Sequence, residues 1–325
     1  MIRRVSAMSL LLYAAPAAAQ TTVTLMHDND EWAHTEQEYA SGSRLAVVST
    51  EWGKAAPVQV LASWLPGREP GDTLSAGFGA GHYFFVPRNI DTAAPIADQR
   101  PYAGWLHGSG LLVRENATRQ DTWKLDAGVV GPSALAEPLE EFFHGIFNGR
   151  DMRGWDNQIT DRLAVNASWE RRWRNLIPVG NSLALDVSPA VGIEAGSVSV
   201  AANAGLTVRI GANLDADFGA PRAGALGGSL SRKAQNGWSA YAFASTTGRY
   251  QAYDIFLDEP SGDDGDPVRG GSAISRSKTR TENSLGLVIA NGGGRLTLAW
   301  TEESKRYDQQ AERQKYGEIT LGLAF

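Results

Sequence analysis

The chain contains no cysteine. That excludes a disulfide framework, thiolate catalysis and any thiolate metal site. No G-x-S-x-G elbow occurs, which removes the serine hydrolases that mount their nucleophile on a strand–turn–helix. Beyond the first twenty residues there is no run of eighteen apolar residues, so no helix of the mature chain is expected to cross a membrane. Histidine is scarce at five. A basic surplus is missing too: the formal net charge is -6, which argues against a nucleic-acid partner.

What is present begins with a leader. Arg3 and Arg4 precede an apolar run through Leu10, Leu11, Leu12 and Tyr13, and a small-residue stretch over 14–19 ends near Gln20. This pattern predicts a secretory signal peptide over 1–20 and a mature chain of 21–325. An exported chain without a helical anchor is periplasmic, secreted or an outer-membrane barrel.

The C-terminus favours the barrel. Phe325, Leu323, Leu321 and Ile319 alternate with Ala324, Gly322, Thr320 and Glu318. A period of two puts the two sets on opposite faces of one strand. A strand with an apolar face, a polar face and a terminal aromatic suits a transmembrane β-barrel, whose sheet must close because hydrocarbon cannot satisfy an open edge. Similar segments recur at about 22–29, 40–51, 73–86, 102–114, 120–130, 157–173, 181–196, 198–213, 236–250, 279–291, 294–305 and 314–325. That makes twelve, and bacterial single-chain barrels need an even number. The expected fold is all-β: one transmembrane antiparallel barrel of twelve strands, with no edge that demands a partner and so a monomer. Residues 259–278, rich in Gly, Asp and Ser, read as an exposed extracellular loop, and 211–235 read as a second insertion.

One segment breaks the β pattern. Residues 131–147 predict a single short helix, with Pro138, Glu140 and Glu141 near its start and Leu139, Phe142, Phe143 and Ile146 as an apolar stripe. His144 lies on this helix, which an extracellular loop would hold at the barrel mouth. A second cluster, His27-Asp28-Asn29-Asp30-Glu31, closes the first strand. Such a polar run sits at the membrane interface or faces a cavity. Its oxygens suit calcium; they equally suit a solvated acidic loop.

Taken in order, Asp28-Asn29-Asp30, Tyr39-Ala40-Ser41-Gly42, the run 98–105 (DQRPYAGW), the run 128–132 (GVVGP) leading to His144, and the run 154–158 (GWDNQ) resemble the outer-membrane lipid A 3′-O-deacylase family of the LpxR type. The resemblance covers about residues 23–160. It implies a twelve-stranded barrel with a site between the wall and a loop helix, acting as a calcium-dependent esterase on the lipid A of lipopolysaccharide. Carried over by motif, Asn29 and Asp30 would be the active-site pair and His144 the general base. Asp30 with Asp28 would serve the metal. Arg88 or Arg100 would meet a lipid A phosphate, and Tyr102 and Trp155 would border the substrate or, as architecture, join the aromatic belt, with Gly131-Pro132 making a strand-to-helix turn. Three departures stand out: Ala40 replaces a threonine of the family, leaving Ser41 as the nearby hydroxyl; a basic residue of the family near the third–fourth strand loop has no clear match, with Arg88 and Arg100 as the candidates; and Arg150 stands where an acidic residue is expected. Two other readings stay open. A serine–histidine barrel phospholipase needs a serine and a polar orienter near a histidine on adjacent strands, a trio the sequence does not identify, and a porin-like barrel needs no converging polar groups.

Overall fold

The computed structural model describes residues 21–33, 38–147, 152–220, 237–258 and 274–325; the leader expected over 1–20 and most of the loop expected over 259–278 lie outside them. Thirteen strands form one antiparallel sheet: β1 (Thr21–Asn29), β2 (Glu38–Ser49), β3 (Thr73–Val86), β4 (Ala103–Glu115), β5 (Arg119–Val130), β6 (Arg162–Trp173), β7 (Leu176–Val179), β8 (Leu183–Gly196), β9 (Ser199–Ala212), β10 (Trp238–Asp254), β11 (Thr279–Asn291), β12 (Gly294–Glu303) and β13 (Gln314–Ala324). Each of the long strands pairs with its sequence neighbours, β13 returns to β1, and β6 pairs with β8 across the short β7. The ring is therefore a closed barrel of twelve strands, as expected. β7, four residues paired to β8 alone, is an extra. It is too short to announce itself by alternation.

The polarity of the wall is inverted relative to a soluble protein. In β13, Thr320 is 1 % exposed while neighbouring Leu321 is 41 % exposed. Leu285, Leu287 and Ile289 of β11 likewise point outward, whereas Ser284 faces inward and hydrogen-bonds Thr301 of β12 at 2.8 Å. An outward apolar band around a polar interior is stable only with hydrocarbon outside. No helix among the described residues is long and apolar enough to cross a membrane; the strands do so.

Strand direction puts both chain ends at one end of the barrel, here the terminal end. The opposite rim carries most of the loop residues and corresponds to the outer surface of an outer-membrane barrel. At the terminal end, the residues after β9 fold into the lumen. Asp217 meets Arg209 of β9 at 2.5 Å, Arg295 of β12 at 2.5 Å and the Tyr241 hydroxyl of β10 at 3.0 Å. Arg172 of β6 donates to Phe218 O at 2.9 Å, and Arg174 to Asp217 O at 3.0 Å. The start of the expected 211–235 insertion is thus a plug tied to strands from β6 round to β12. Burial pushes the Asp217 carboxyl up, yet Arg295 and Arg209 pull harder and hold it below the usual carboxylate range.

The single-helix expectation needs correction. Besides the helix at 136–147, the chain forms α1 (Thr50–Gly53) and α2 (Ala56–Ser63) directly after β2. Ser49 caps α1 by accepting the Glu51 N–H at 3.2 Å, and Pro57 starts α2 with its φ preset. A further single turn follows β10 at Ile255–Asp258.

Candidate functional site

The site is built by a sharp exit from β5. Gly131 adopts φ 103°, a conformation that costs little only for glycine, and its missing side chain leaves room for Ile159 O, which a Cβ would meet at 2.7 Å. Pro132–Ala134 make one tight turn, Leu135 sits at φ 58°, and α3 (Ala136–Phe147) begins. Asp161 pins the turn by accepting from both the N–H and the hydroxyl of Ser133 at 2.7 Å. The Gly-Pro pair is therefore the strand-to-helix turn the sequence suggested.

α3 lies against the outside of the wall. Tyr83 and Phe85 of β3 line the lumen, so Phe84 between them faces out, and it packs in one cluster with Ala40, Tyr102, Ala136 and Trp155, with Leu139 against them. Gly104 of β4 permits this approach: a Cβ there would lie 2.6 Å from that of Ala136. An irregularity in the β2–β3 pairing between Tyr39 and Ser41 brings Ala40 into the same outer cluster.

On this outer face the first two strands present paired polar groups. Asn29 is directly opposite Ser41, and Asn29 Oδ1 accepts the Glu31 N–H at 2.6 Å. Asp30 follows at the rim, buried, its N–H donating to Ala40 O at 3.2 Å. Asp28 points the other way: the Tyr39 hydroxyl donates to its carboxylate inside the barrel. Asp28 and Asn29 thus occupy opposite faces of the wall. Asn29 and Ser41 offer oxygen, which suits a hard cation, but two groups fall short of the six to eight ligands calcium takes. No group of three or more His, Asp or Glu residues fit to hold an ion occurs among the described residues.

One rung below, His27 Nδ1 lies 2.9 Å from Ser43 Oγ, with the imidazole edge-on to Trp32 at 5.4 Å. On β3, His82 pairs with Ser43 and sits edge-on to Phe84 at 4.5 Å. The sequence reading did not single out Ser43 or His82, and took His27 only as part of an acidic cluster. The signal was available: His27 is two residues before Asn29, and Ser43 two after Ser41, so period two puts all four on one face.

Of the remaining expected residues, His144 lies on α3 with its side chain outside the described part. Glu140, four positions earlier on the same helix, is 7 % exposed, and burial pushes its carboxyl up to about 8. Arg88 is exposed just beyond β3. Arg100 is buried: 1 % exposed, it holds its guanidinium 4.4 Å over the lumen-facing Phe85, and burial, then Arg306, lowers its pKa to about 10. Tyr102 and Trp155 pack ring to ring at 4.8 Å inside the cluster behind α3, so they brace the loop and do not join an aromatic belt.

A closed barrel, apolar outside and plugged at one end, with a loop helix packed against its wall, is an outer-membrane protein. The family model of the outer membrane protein LpxR matches residues 5–325, and the chain belongs to that family. Among solved structures, LpxR from Salmonella typhimurium is similar at 15 % identity and TM-score 0.74, over 94 % of this chain and all of that one. The β domain of the Bordetella autotransporter BrkA is more distant, at 13 % identity and TM-score 0.46 over 95 % of this chain and 100 % of that one. No curated protein matches.

Proposed function

We propose that this protein is a lipid A deacylase of the outer membrane, hydrolysing the 3′-linked acyloxyacyl ester of lipopolysaccharide. The observation that supports the reading is the Asn29–Ser41 pair at the rim of the outer wall, with the His144-bearing helix packed on the neighbouring β3 and β4, at the height where lipid A of the outer leaflet would lie. His144 would take a proton from water as the water oxygen bonds to the ester carbonyl, and would return it to the departing sugar oxygen. A calcium ion held by Asp30 and Asn29 would supply positive charge for the carbonyl oxygen. Arg88, exposed at the rim, is the better-placed cation for a lipid A phosphate. Arg100 belongs to the frame. Ala40 packs against Phe84 where the family has threonine, which leaves Ser41, paired with Asn29, as the hydroxyl of that row.

The test is mass spectrometry of lipid A after incubation of lipopolysaccharide with the refolded barrel, with calcium and then with chelator. Loss of one acyloxyacyl unit, abolished by chelator and absent in His144→Ala, is expected. Unchanged lipid A in every arm would remove the proposal.

A second reading rests on the His27–Ser43 contact, the serine–histidine neighbour pair that a barrel phospholipase requires. Here Ser43 Oγ would attack the ester carbonyl, His27 would take the hydroxyl proton and pass it to the leaving alcohol, and water would later hydrolyse the acyl-serine. Fluorophosphonate labelling of Ser43, lost in His27→Phe, would favour it over the first. Full deacylation by Ser43→Ala would dismiss it. The porin-like reading finds less support, because the plug around Asp217 crosses the lumen.

A further inference from the structure

The segment from α1 to β3 runs along the outside of the wall at the terminal end. Trp52 of α1 stacks on Phe78 at 5.3 Å, and Phe78 is an outward residue of the lipid-facing band. Further round, the same segment covers charge. Arg114 of β4, two residues on from outward-facing Leu112, donates to Ala62 O at 2.7 Å and Pro66 O at 2.9 Å. Arg119 of β5 donates to Gly67 O at 2.8 Å and Asp72 at 3.0 Å. Beside it Asp121, wholly buried, accepts from Arg171 at 2.7 Å and from the Trp169 indole at 3.2 Å. These groups share the face of Leu125, Leu163 and Val165, which is the membrane face. Left bare to lipid, they would be strongly destabilising.

The collar that shields them is itself amphipathic in reverse. Ala62 is buried toward the barrel, while Pro57, Val60, Leu61 and Trp64 all face away, with Trp64 79 % exposed. Their spacing of i, i+3, i+4 and i+7 makes one apolar stripe on the side opposite the protein. A soluble helix points such a stripe inward. Here the stripe continues the lipid-facing band of β3 through the Trp52–Phe78 stack, and tryptophan at the margin of that band is the usual anchor at a membrane interface.

We infer that residues 50–72 form an interfacial collar whose Trp52, Val60, Leu61 and Trp64 dock into the phospholipid of the leaflet nearest the chain termini. Polar backbone on the wall side and apolar side chains on the other match the boundary between headgroups and acyl chains. The collar joins β2 to β3, and the Asn29–Ser41 patch sits at the far ends of β1 and β2. Fixing the depth of one therefore fixes the height of the other in the opposite leaflet.

The absence of native cysteine makes the test clean. Leu61→Cys, Trp64→Cys, Leu321→Cys and Ala117→Cys are each labelled with bimane in the full-length barrel, reconstituted in dioleoylphosphatidylcholine vesicles. Leu321 reports the lipid-facing wall, and Ala117 an exposed turn at the same end. The collar labels should shift to the blue and be quenched by lipids carrying a doxyl group high on the acyl chain, as Leu321 is, and little by iodide. Iodide quenching equal to that of Ala117 overturns the inference. So does a blue shift that fades as the protein-to-lipid ratio falls, since that would assign the stripe to a second copy of the chain.

Discussion

The two ends of the barrel treat buried charge differently. At the terminal end Asp217 lies between Arg209 and Arg295 with the Tyr241 hydroxyl beside it, and the pairing keeps its carboxyl ionised despite complete burial. At the far rim, Glu140 is buried with its carboxyl pushed up to about 8, and Arg100 is lowered to about 10. The first arrangement is structural: opposite charges compensate for lost water. The second is governed by burial, which disfavours the charged form of each group. The comparison can be attacked from either end.

The largest loss is expected from Asp217→Ala, which would leave Arg209 and Arg295 facing each other in a dry plug. Breaking one partner out of a buried ion network costs about 3–5 kcal/mol, read as a lower urea midpoint and loss of the heat-modifiable band, with any residual activity per folded molecule unchanged. His144→Ala should do the reverse, lowering hydrolysis by roughly 10² to 10⁴ while the urea midpoint holds. Asp30→Ala should follow it and also raise the calcium concentration needed for half-activity. If either site variant unfolds the barrel, the division between the two ends fails.

A smaller effect concerns pH. The folded-state pKa of Glu140, about 8, lies above its ordinary value. Docking of α3 is then at full strength below the usual carboxylate range, weakens as pH rises, and is largely lost above about pH 8. Hydrogen exchange along α3, corrected for intrinsic rates, should quicken as pH rises from about 4.5 to about 8 and level off above that, and Glu140→Gln should flatten the profile. Smallest of all is Arg88→Ala. An exposed cation contributes roughly 1 kcal/mol, so KM should rise a few-fold with kcat unchanged, and salt should mask the difference.

The wall was legible in the sequence because lipid on one side and water on the other impose a period of two that nothing else in the chain imitates. The twelve long strands follow from it, and so does the shared face of Asn29 and Ser41. The helix carrying His144 was legible for the opposite reason, since its apolar stripe interrupts that period. The collar was not, because Pro57, Val60, Leu61 and Trp64 span barely two turns and follow a strand without a gap. Nor could the plug be read, for Asp217 and Arg295 meet across 78 positions of sequence.

The seam between β1 and β13 has a further consequence. Thr22 pairs with Ala324 and Asn29 with Gly317, so the first strand made by the ribosome finds its second neighbour only in the last. The sheet cannot be completed in the order of synthesis. Until the final residues have been exported, β1 offers an unpaired edge, and contacts so distant in sequence form slowly. A premature stop late in the message would therefore not give a slightly smaller barrel. It would give an unsealed sheet, a substrate for proteases and aggregation.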